Sequence, residues 1–345
     1  MEIKRRDFLI GAAASMTVLV AGCNSGTEQK TEQKATATPS GQKQDTTPVR
    51  IGVAAPSATL LLPFVAKDKG LFEKQGITSP SVTFIPGPQL VPSLAGGAVD
   101  FAIVAAPAAD LIAISSDRVK VLASWMRSSG QFFVAAPDIK KLEDLKGRKV
   151  AINGSKGGSS SMLMNAALRK VNLTFDDVQV SVLQDAAAQV SAYASGQVDA
   201  MVTFPPNIEK VQKARPGTSV IDEMRDVFLP SGQVVVNAAW AESHPEATVG
   251  VLKALQAALS AWRTDQSLGK STIAAQLKLD PTSPTVESLY AHSMRSFEES
   301  LYTMDLALEE RVMEVIRLNG FAEATAAAAA KAIAPQYGEQ AFGKR

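Results

Sequence analysis

Apolar positions along this chain follow two rhythms. Short stretches in which nearly every residue is apolar, IGVAA at 51–55, FAIVAA at 101–106, VAI at 150–152 and AMV at 200–202, predict strands buried on both faces. Between them run longer segments with apolar residues three and four apart, the spacing of an amphipathic helix. The pattern also repeats. With residue 150 placed on residue 51, an offset of 99, IGVAAPSA falls on VAINGSKG and LAGGAVDFAIV (94–104) falls on YASGQVDAMVT (193–203). Between these anchors each copy carries a helix-like run, a second strand (VTFIPG, VSVLQD) and a second helix-like run (QLVPSLAGG, AAQVSAYASG). Each half therefore reads β-α-β-α-β, with a Gly-x-Val-Asp turn into its third strand.

Two copies of such a unit are too few and too long for a solenoid. They predict an α/β architecture of two lobes, each a mainly parallel sheet flanked by helices. QFFVAA (131–136), followed by PDIKKLEDLKG, leads into the second half, and GQVVVNA (232–238) looks like the return, so two strands form the hinge. This places lobe 1 at 49–135 plus 236–345 and lobe 2 at 136–235. From His244 onward the spacing is helical, as in Val251, Leu255, Ala258 and Leu259, and again in Leu306, Val312, Val315 and Ile316. These helices are expected to wrap lobe 1.

The N-terminus is an address. MEIKRRDFLIGAAASMTVLVAGC (1–23) has a basic start, an apolar run from Phe8 to Ala21 and small residues before Cys23. That run is short of the roughly 20 residues a bilayer span needs, so residues 1–22 read as a signal peptide. Arg5 and Arg6 before Asp7-Phe8-Leu9 fit either twin-arginine or general export. Val20-Ala21-Gly22-Cys23 looks like a lipobox, with Cys23 lipidated; an ordinary signal peptide with an incidental cysteine is the plain alternative. Residues 24–48 hold no apolar residue beyond two alanines and contain TEQK twice, the composition of a flexible tether.

Composition narrows the chemistry. Hydrophobic residues make up 46% and charged residues 20%, with a net charge of +1, so no basic surface suits nucleic acid. Cys23 is the single cysteine, which removes Cys-based metal sites, disulfides and a cysteine nucleophile from the body. The two histidines, His244 and His292, lie far apart in helix-like stretches and read as surface or packing residues. No cofactor or metal is implied.

In open parallel sheets, ligands bind beyond the carboxyl ends of the strands. The turn GSKGGSS (154–160) follows the first strand of the second half. It fails the Walker A pattern, because Ser159 stands where glycine belongs, and the Gly-x-Gly-x-x-Gly pattern, because Lys156 does. What remains is a helix N-terminus whose free N–H groups and positive dipole end suit an anion. Ser155, Ser159 and Gly157 are candidates there, and Lys156 either neutralises the anion or extends into solvent. The plain alternative is a serine capping the helix while glycines make the turn. The equivalent turn offers Ser57. The other strand ends offer Gln89, the small Ala106, Thr203 with Phe204, and Asp185, which suits an amine and keeps zwitterions in play. Trp125, before the hinge, would stack on a ligand or fill the core; Arg127 and Asn237 are weaker candidates.

Five blocks carry a family resemblance: RIGVAAPSATLLLPFVAKDKGLFEKQGI, LAGGAVDFAIVAAPAA, LEDLKGRKVAINGSKGGSS, ASGQVDAMVTFPP and AESHPEATVGVLKALQAAL. Together they resemble the substrate-binding lipoproteins of ABC importers, in the nitrate, sulfonate and taurine group that also serves pyrimidine precursors of thiamine. The resemblance implies a type II periplasmic-binding-protein fold and an extracytoplasmic monomer, held to the membrane by its lipid. It also implies a small anion or zwitterion bound between the lobes by hinge closure, with an ABC permease and ATPase as partners. The family includes a suicidal pyrimidine synthase with a cysteine-rich motif; the body here has no cysteine, which counts against an enzyme. A ligand-sensing lipoprotein and a binder of pyrimidines or aromatic carboxylates remain as alternatives.

Overall fold

The computed structural model describes residues 48–344 apart from Lys156, Gln184 and Asp185. The signal segment, Cys23, the tether to residue 47 and the Lys156 and Asp185 candidates lie outside the described residues.

Eleven strands among the described residues form two sheets: β1 (Val49–Val53), β2 (Pro80–Phe84), β3 (Phe101–Ala105), β4 (Val119–Ser124), β5 (Phe132–Ala135), β6 (Lys149–Asn153), β7 (Gln179–Leu183), β8 (Ala200–Thr203), β9 (Ser219–Asp222), β10 (Ser231–Asn237) and β11 (Tyr302–Thr303). The first sheet has the order β11-β4-β10-β3-β1-β2 and the second β7-β6-β8-β5-β9. β1, β2 and β3 run parallel, as do β6, β7 and β8. β3, β8 and β10 are buried almost end to end, because helices cover both faces, and this is why their sequences show no alternation.

The 99-residue repeat has a physical cause in the turn before the third strand. Ile51 pairs with Phe101 and Val150 with Ala200, so the register itself repeats at that offset. Gly97 and Gly196 adopt φ of 76° and 75°, the left-handed region that glycine enters without a Cβ penalty. They let Asp100 and Asp199 turn back onto the first strand of their lobe. The Asp100 carboxylate accepts the Arg50 backbone N–H at 2.8 Å and the Asp199 carboxylate the Lys149 N–H at 2.9 Å. Each aspartate also donates its own N–H to the same residue's carbonyl, at 2.9 and 2.8 Å. Gly-x-Val-Asp is thus a register pin used twice.

One strand in each sheet comes from the far side of a crossing. β5 follows directly on the first sheet yet pairs antiparallel with β8 and β9 in the second. β10 returns to lie antiparallel between β3 and β4. The crossings therefore fall at 125–131 and 223–230, ahead of the lobe boundaries expected at 135/136 and 235/236. The apolar QFFVAA and GQVVVNA segments belong inside sheets, where their backbone groups find partners, and not in an open connection. The two crossings run side by side: the Ser231 N–H donates to the Met126 carbonyl at 3.3 Å, and the Ser124 hydroxyl to the Ser231 carbonyl at 2.9 Å. Lys170, at the end of the Ser159–Arg169 helix, clamps the return crossing through Asp222 at 2.8 Å and Asp226 at 2.6 Å.

The C-terminal helices do more than wrap the first lobe. The Pro245–Thr264 helix does so, burying Val251, Leu252, Leu255, Leu259 and Trp262 in one cluster with Ile51, Val53 and Leu62. The Leu306–Leu318 helix leaves Leu306 exposed and buries Val312 and Ile316. Its end meets the second lobe, where the Asn165 amide donates to the Leu318 carbonyl at 3.0 Å. On the other flank, Ser288 in the Pro284–Ser296 helix donates to Glu209 of the second lobe at 2.6 Å. The helices bridge both lobes because the apolar faces they cover continue across the hinge.

Asp110, Glu309 and Gln233 are fully buried together at the back of the first sheet, with the Gln233 amide donating to Asp110 at 3.2 Å. Asp110 Oδ2 and both Glu309 carboxyl oxygens are buried with no hydrogen-bond partner among the described residues. Burial pushes both carboxyls upward, and the Asp110 charge adds to the rise at Glu309. A carboxyl raised in the folded chain retains its proton where the unfolded chain has lost it. The stability it contributes is present at low pH and lost as pH rises. Glu309→Gln should therefore be more stable than wild type at neutral pH, by a margin that grows on raising pH above 4.5 at up to about 1.4 kcal/mol per unit. Parallel pH profiles of the unfolding midpoint for the two proteins would refute the raised Glu309 carboxyl.

Candidate functional site

The carboxyl ends of β1, β2, β3, β6 and β8 open on one cleft of about 1100 Å³. Its walls come from both lobes: Ala54 to Leu60, Phe84 and Ala105 from the first, Asn153, Ser159, Ala186, Phe204 and Pro205 from the second. This is the convergence the repeat predicts, since matching strand ends face one another when two copies of a unit meet.

Of the residues singled out from sequence, Ser57, Ser159 and Phe204 line the cleft. Ser57 shares a hydrogen bond of 3.1 Å with Thr59, beside it in the wall. The others sit elsewhere. Gln89 is exposed on the Gly87–Ala95 helix, outside the described lining. Ala106 is fully buried one residue behind the lining Ala105. Trp125 is fully buried in the first lobe, and its indole N–H donates to the Thr59 carbonyl at 2.9 Å, so it supports the Ser57 turn from beneath. Ser155 is exposed outside the lining. Gly157 packs toward Phe321, whose ring would lie 3.2 Å from an added Cβ; the glycine admits a neighbouring side chain. Thr203 is buried and its hydroxyl accepts the Asn207 amide at 3.0 Å. Arg127 pairs with Glu298 at 3.1 Å, and Asn237 caps the Ala238–Ser243 helix.

The Ser159–Arg169 helix starts at the cleft wall. Its N-cap is Gly158, and no side chain caps it, so the serines of the loop are not used in that way. They are used by Gln131. This residue ends the first crossing, is 2% exposed, and turns its amide toward the helix start. Its N–H groups donate to Ser129 Oγ at 3.2 Å and Ser159 Oγ at 3.1 Å, while its carbonyl accepts the Ser160 hydroxyl at 2.5 Å. A hydroxyl that accepts still has its own proton to give. Gln131 therefore fixes Ser129 and Ser159 as donors, next to the unpaired N–H groups of a helix N-terminus. The result is an anion-attracting corner built of neutral groups.

Sequence reasoning missed Ser129, Gln131 and His292. Gln131 opens QFFVAA, which the sequence presents as a connection, and nothing in that segment or in Ser129 before it marks either side chain as facing inward. His292 had a signal: Thr285, Leu289 and His292 fall on one helical face and all three line the cleft. The imidazole is 4% exposed, and its centroid is 5.9 Å from the Phe132 ring. Burial, reinforced by the positive charges of Arg295 and Arg225, holds its pKa down to about 4. At neutral pH it is an uncharged wall. The cationic side chains of the described lining, Lys210, Lys213 and Lys278, are exposed at the rim. Among the described residues there is no group of three or more His, Cys, Asp or Glu side chains placed to hold a metal.

Comparison with known proteins agrees with this geometry. The family model described as NMT1/THI5 like matches residues 59–266. A putative binding protein of Brucella abortus (strain 2308) is 30% identical over 271 residues, 77% of this chain and 83% of that protein. A putative aliphatic sulfonates-binding protein of Bacillus subtilis (strain 168) is 30% identical over 237 residues, 64% of this chain and 67% of the relative. Among solved structures, the periplasmic aliphatic sulphonate binding protein SsuA from Escherichia coli superposes with a TM-score of 0.68 at 24% identity, covering 79% of this chain and 91% of that one. The periplasmic nitrate-binding protein NrtA from Synechocystis PCC 6803 gives 0.66 at 15% identity, covering 86% and 88%. The desulfurization enzyme DSZB gives 0.61 at 16%, covering 86% and 98%. At these identities the structural likeness speaks for the fold.

The buried imidazole provides a direct check on the cleft. The His292 ring protons of the unliganded chain should titrate by NMR near pH 4, whereas a midpoint at or above 6.5 would place the ring in open water.

Proposed function

The chain belongs to the NMT1/THI5-like family, and from that premise we propose that it is the extracytoplasmic solute-binding component of an ABC importer. It closes two lobes around a small anion or zwitterion, of the sulfonate, taurine or nitrate class, and presents it to a permease and its ATPase. The observation that carries this reading is the Gln131 corner. It joins Ser129 of the hinge to Ser159 of the second lobe, and Ser57 of the first lobe lines the same cleft, so the cleft presents polar groups from all three parts. Contacts to both lobes favour the closed form over the open one, which is all that a closing mechanism requires.

Relatives named as binding proteins support the reading, and so does the chemistry of the lining. Catalysis on this fold needs a nucleophile with a base or a bound metal. The single cysteine, Cys23, precedes the described body, and among the described residues the cleft's histidine faces an aromatic ring and the Ser296 hydroxyl, with no carboxylate hydrogen-bonded to it. The cysteine instead suits lipidation, with residues 1–22 removed and residues 24–48 serving as a leash to the membrane. One chain suffices to form the cleft, in keeping with a monomer.

Two measurements test this. Members of a panel of sulfonates, taurine, nitrate, aromatic acids and pyrimidines should raise the unfolding temperature of the purified chain, and Gln131→Ala should weaken the best binder about tenfold, the worth of one or two hydrogen bonds. A panel with no effect would remove the solute-binding reading. In bacterial cells, Cys23→Ser should move the protein from the membrane fraction to the soluble one; unchanged fractionation would exclude a lipid at that residue.

A further inference from the structure

We infer that the solute carries a large, flat apolar body: a one- or two-ring aromatic monoanion, sulfonate or carboxylate, whose charged end sits at Ser129 and Ser159 while its ring lies between Phe84 and Phe204. The inference rests on the solute-binding reading and adds to it a substrate class.

Three observations carry it. The first is size. At about 30 Å³ per water molecule, a cleft of about 1100 Å³ holds on the order of 40 waters. An ion as small as nitrate displaces very few of them and leaves the rest against apolar walls. The second is the nature of those walls. Phe84 comes from the first lobe and Phe204 from the second, and Leu60, Leu277, Leu279 and Leu289 line the same cleft. Phe204 is 37% exposed, and of the large apolar side chains left exposed among the described residues it is the one that lines the cleft. A ring in the cleft would remove it from water. The third is charge. Among the described lining residues, Ser57, Thr59, Ser129, Gln131, Ser159 and an uncharged His292 are neutral, whereas the charged ones, Glu209, Lys210, Lys213 and Lys278, are exposed.

Neutral donors can orient one anionic group, but they compensate its lost hydration less fully than a buried cation would. Affinity must then come from apolar contact. Each buried methylene contributes about fourfold. Aromatic faces on both sides add about two- to tenfold for a ring over an alkyl chain of similar area.

Titration calorimetry on the full chain, freed of any co-purified solute, tests this with naphthalene-2-sulfonate, 2-naphthoate, hexanesulfonate, methanesulfonate, taurine and nitrate. Naphthalene-2-sulfonate or 2-naphthoate should bind at least about 100-fold tighter than methanesulfonate, with a negative heat-capacity change. Phe204→Ala should lose about tenfold more affinity for the naphthalene ligand than for methanesulfonate. Tightest binding by hexanesulfonate overturns the aromatic class. Methanesulfonate, taurine or nitrate binding as tightly as the ring compounds overturns the apolar body and leaves the solute-binding reading standing. Equal losses for all ligands in Phe204→Ala overturn the placement of the ring. No binding by any member of the panel overturns both readings.

Discussion

Everything in this molecule depends on the exchange of one strand between the two sheets. β5 and β10 each satisfy their backbone groups in the sheet reached after a crossing, flanked on both sides by partners. Neither sheet is complete without a segment delivered through the hinge. The crossings are therefore short, tethered at both ends by full ladders, and hydrogen-bonded to one another at Met126 and Ser231. That arrangement fixes where the lobes meet and leaves few backbone torsions through which they could turn. The cleft forms in front of the hinge because the carboxyl ends of the parallel strands β1, β2, β3, β6 and β8 point there.

The polar corner inherits this constraint. Gln131 is the last residue before β5, so the ladder that positions β5 also positions the amide. The amide in turn fixes Ser129 and Ser159 as donors. A buried polar group of this kind is expensive unless every hydrogen bond is made, and Gln131 makes three. The same lobe contact places Phe132 against His292, keeping the imidazole dry and uncharged. The site is thus tuned by burial, and its charge preference comes from donor orientation and the helix end.

Behind the sheets the packing is continuous across the hinge. Phe133 and Ala135 of β5 share a cluster with Val119 and Val121 of β4, Val235 of β10 and the Leu306–Leu318 helix. The Asp110–Glu309–Gln233 group lies in this region, bringing together a helix of the first half, the return strand and a C-terminal helix around two buried carboxyls. Apolar contact between the lobes is strong at the back of the hinge, and the front is left to the solute.

Much of the architecture was legible in the sequence, because its cause is local. The Gly-x-Val-Asp turn writes its own signature: a glycine that must take a left-handed φ and an aspartate that must reach a backbone N–H. Those needs recur at an offset of 99, so the repeat exposes both lobes and the β-α-β-α-β succession within each. The strand-end turns follow, and with them Ser57, Ser159 and Phe204. The sequence could not tell which polar residues near those turns face inward. Gln131 looks like linker, Ser129 carries no signal, Thr203 and Trp125 look like site, and the difference lies in which partner sits opposite each one. Partners come from segments tens or hundreds of residues away, as Thr59 does for Trp125 and Phe132 for His292. Backbone requirements are written along the chain, but side-chain environment is decided only when distant elements pack.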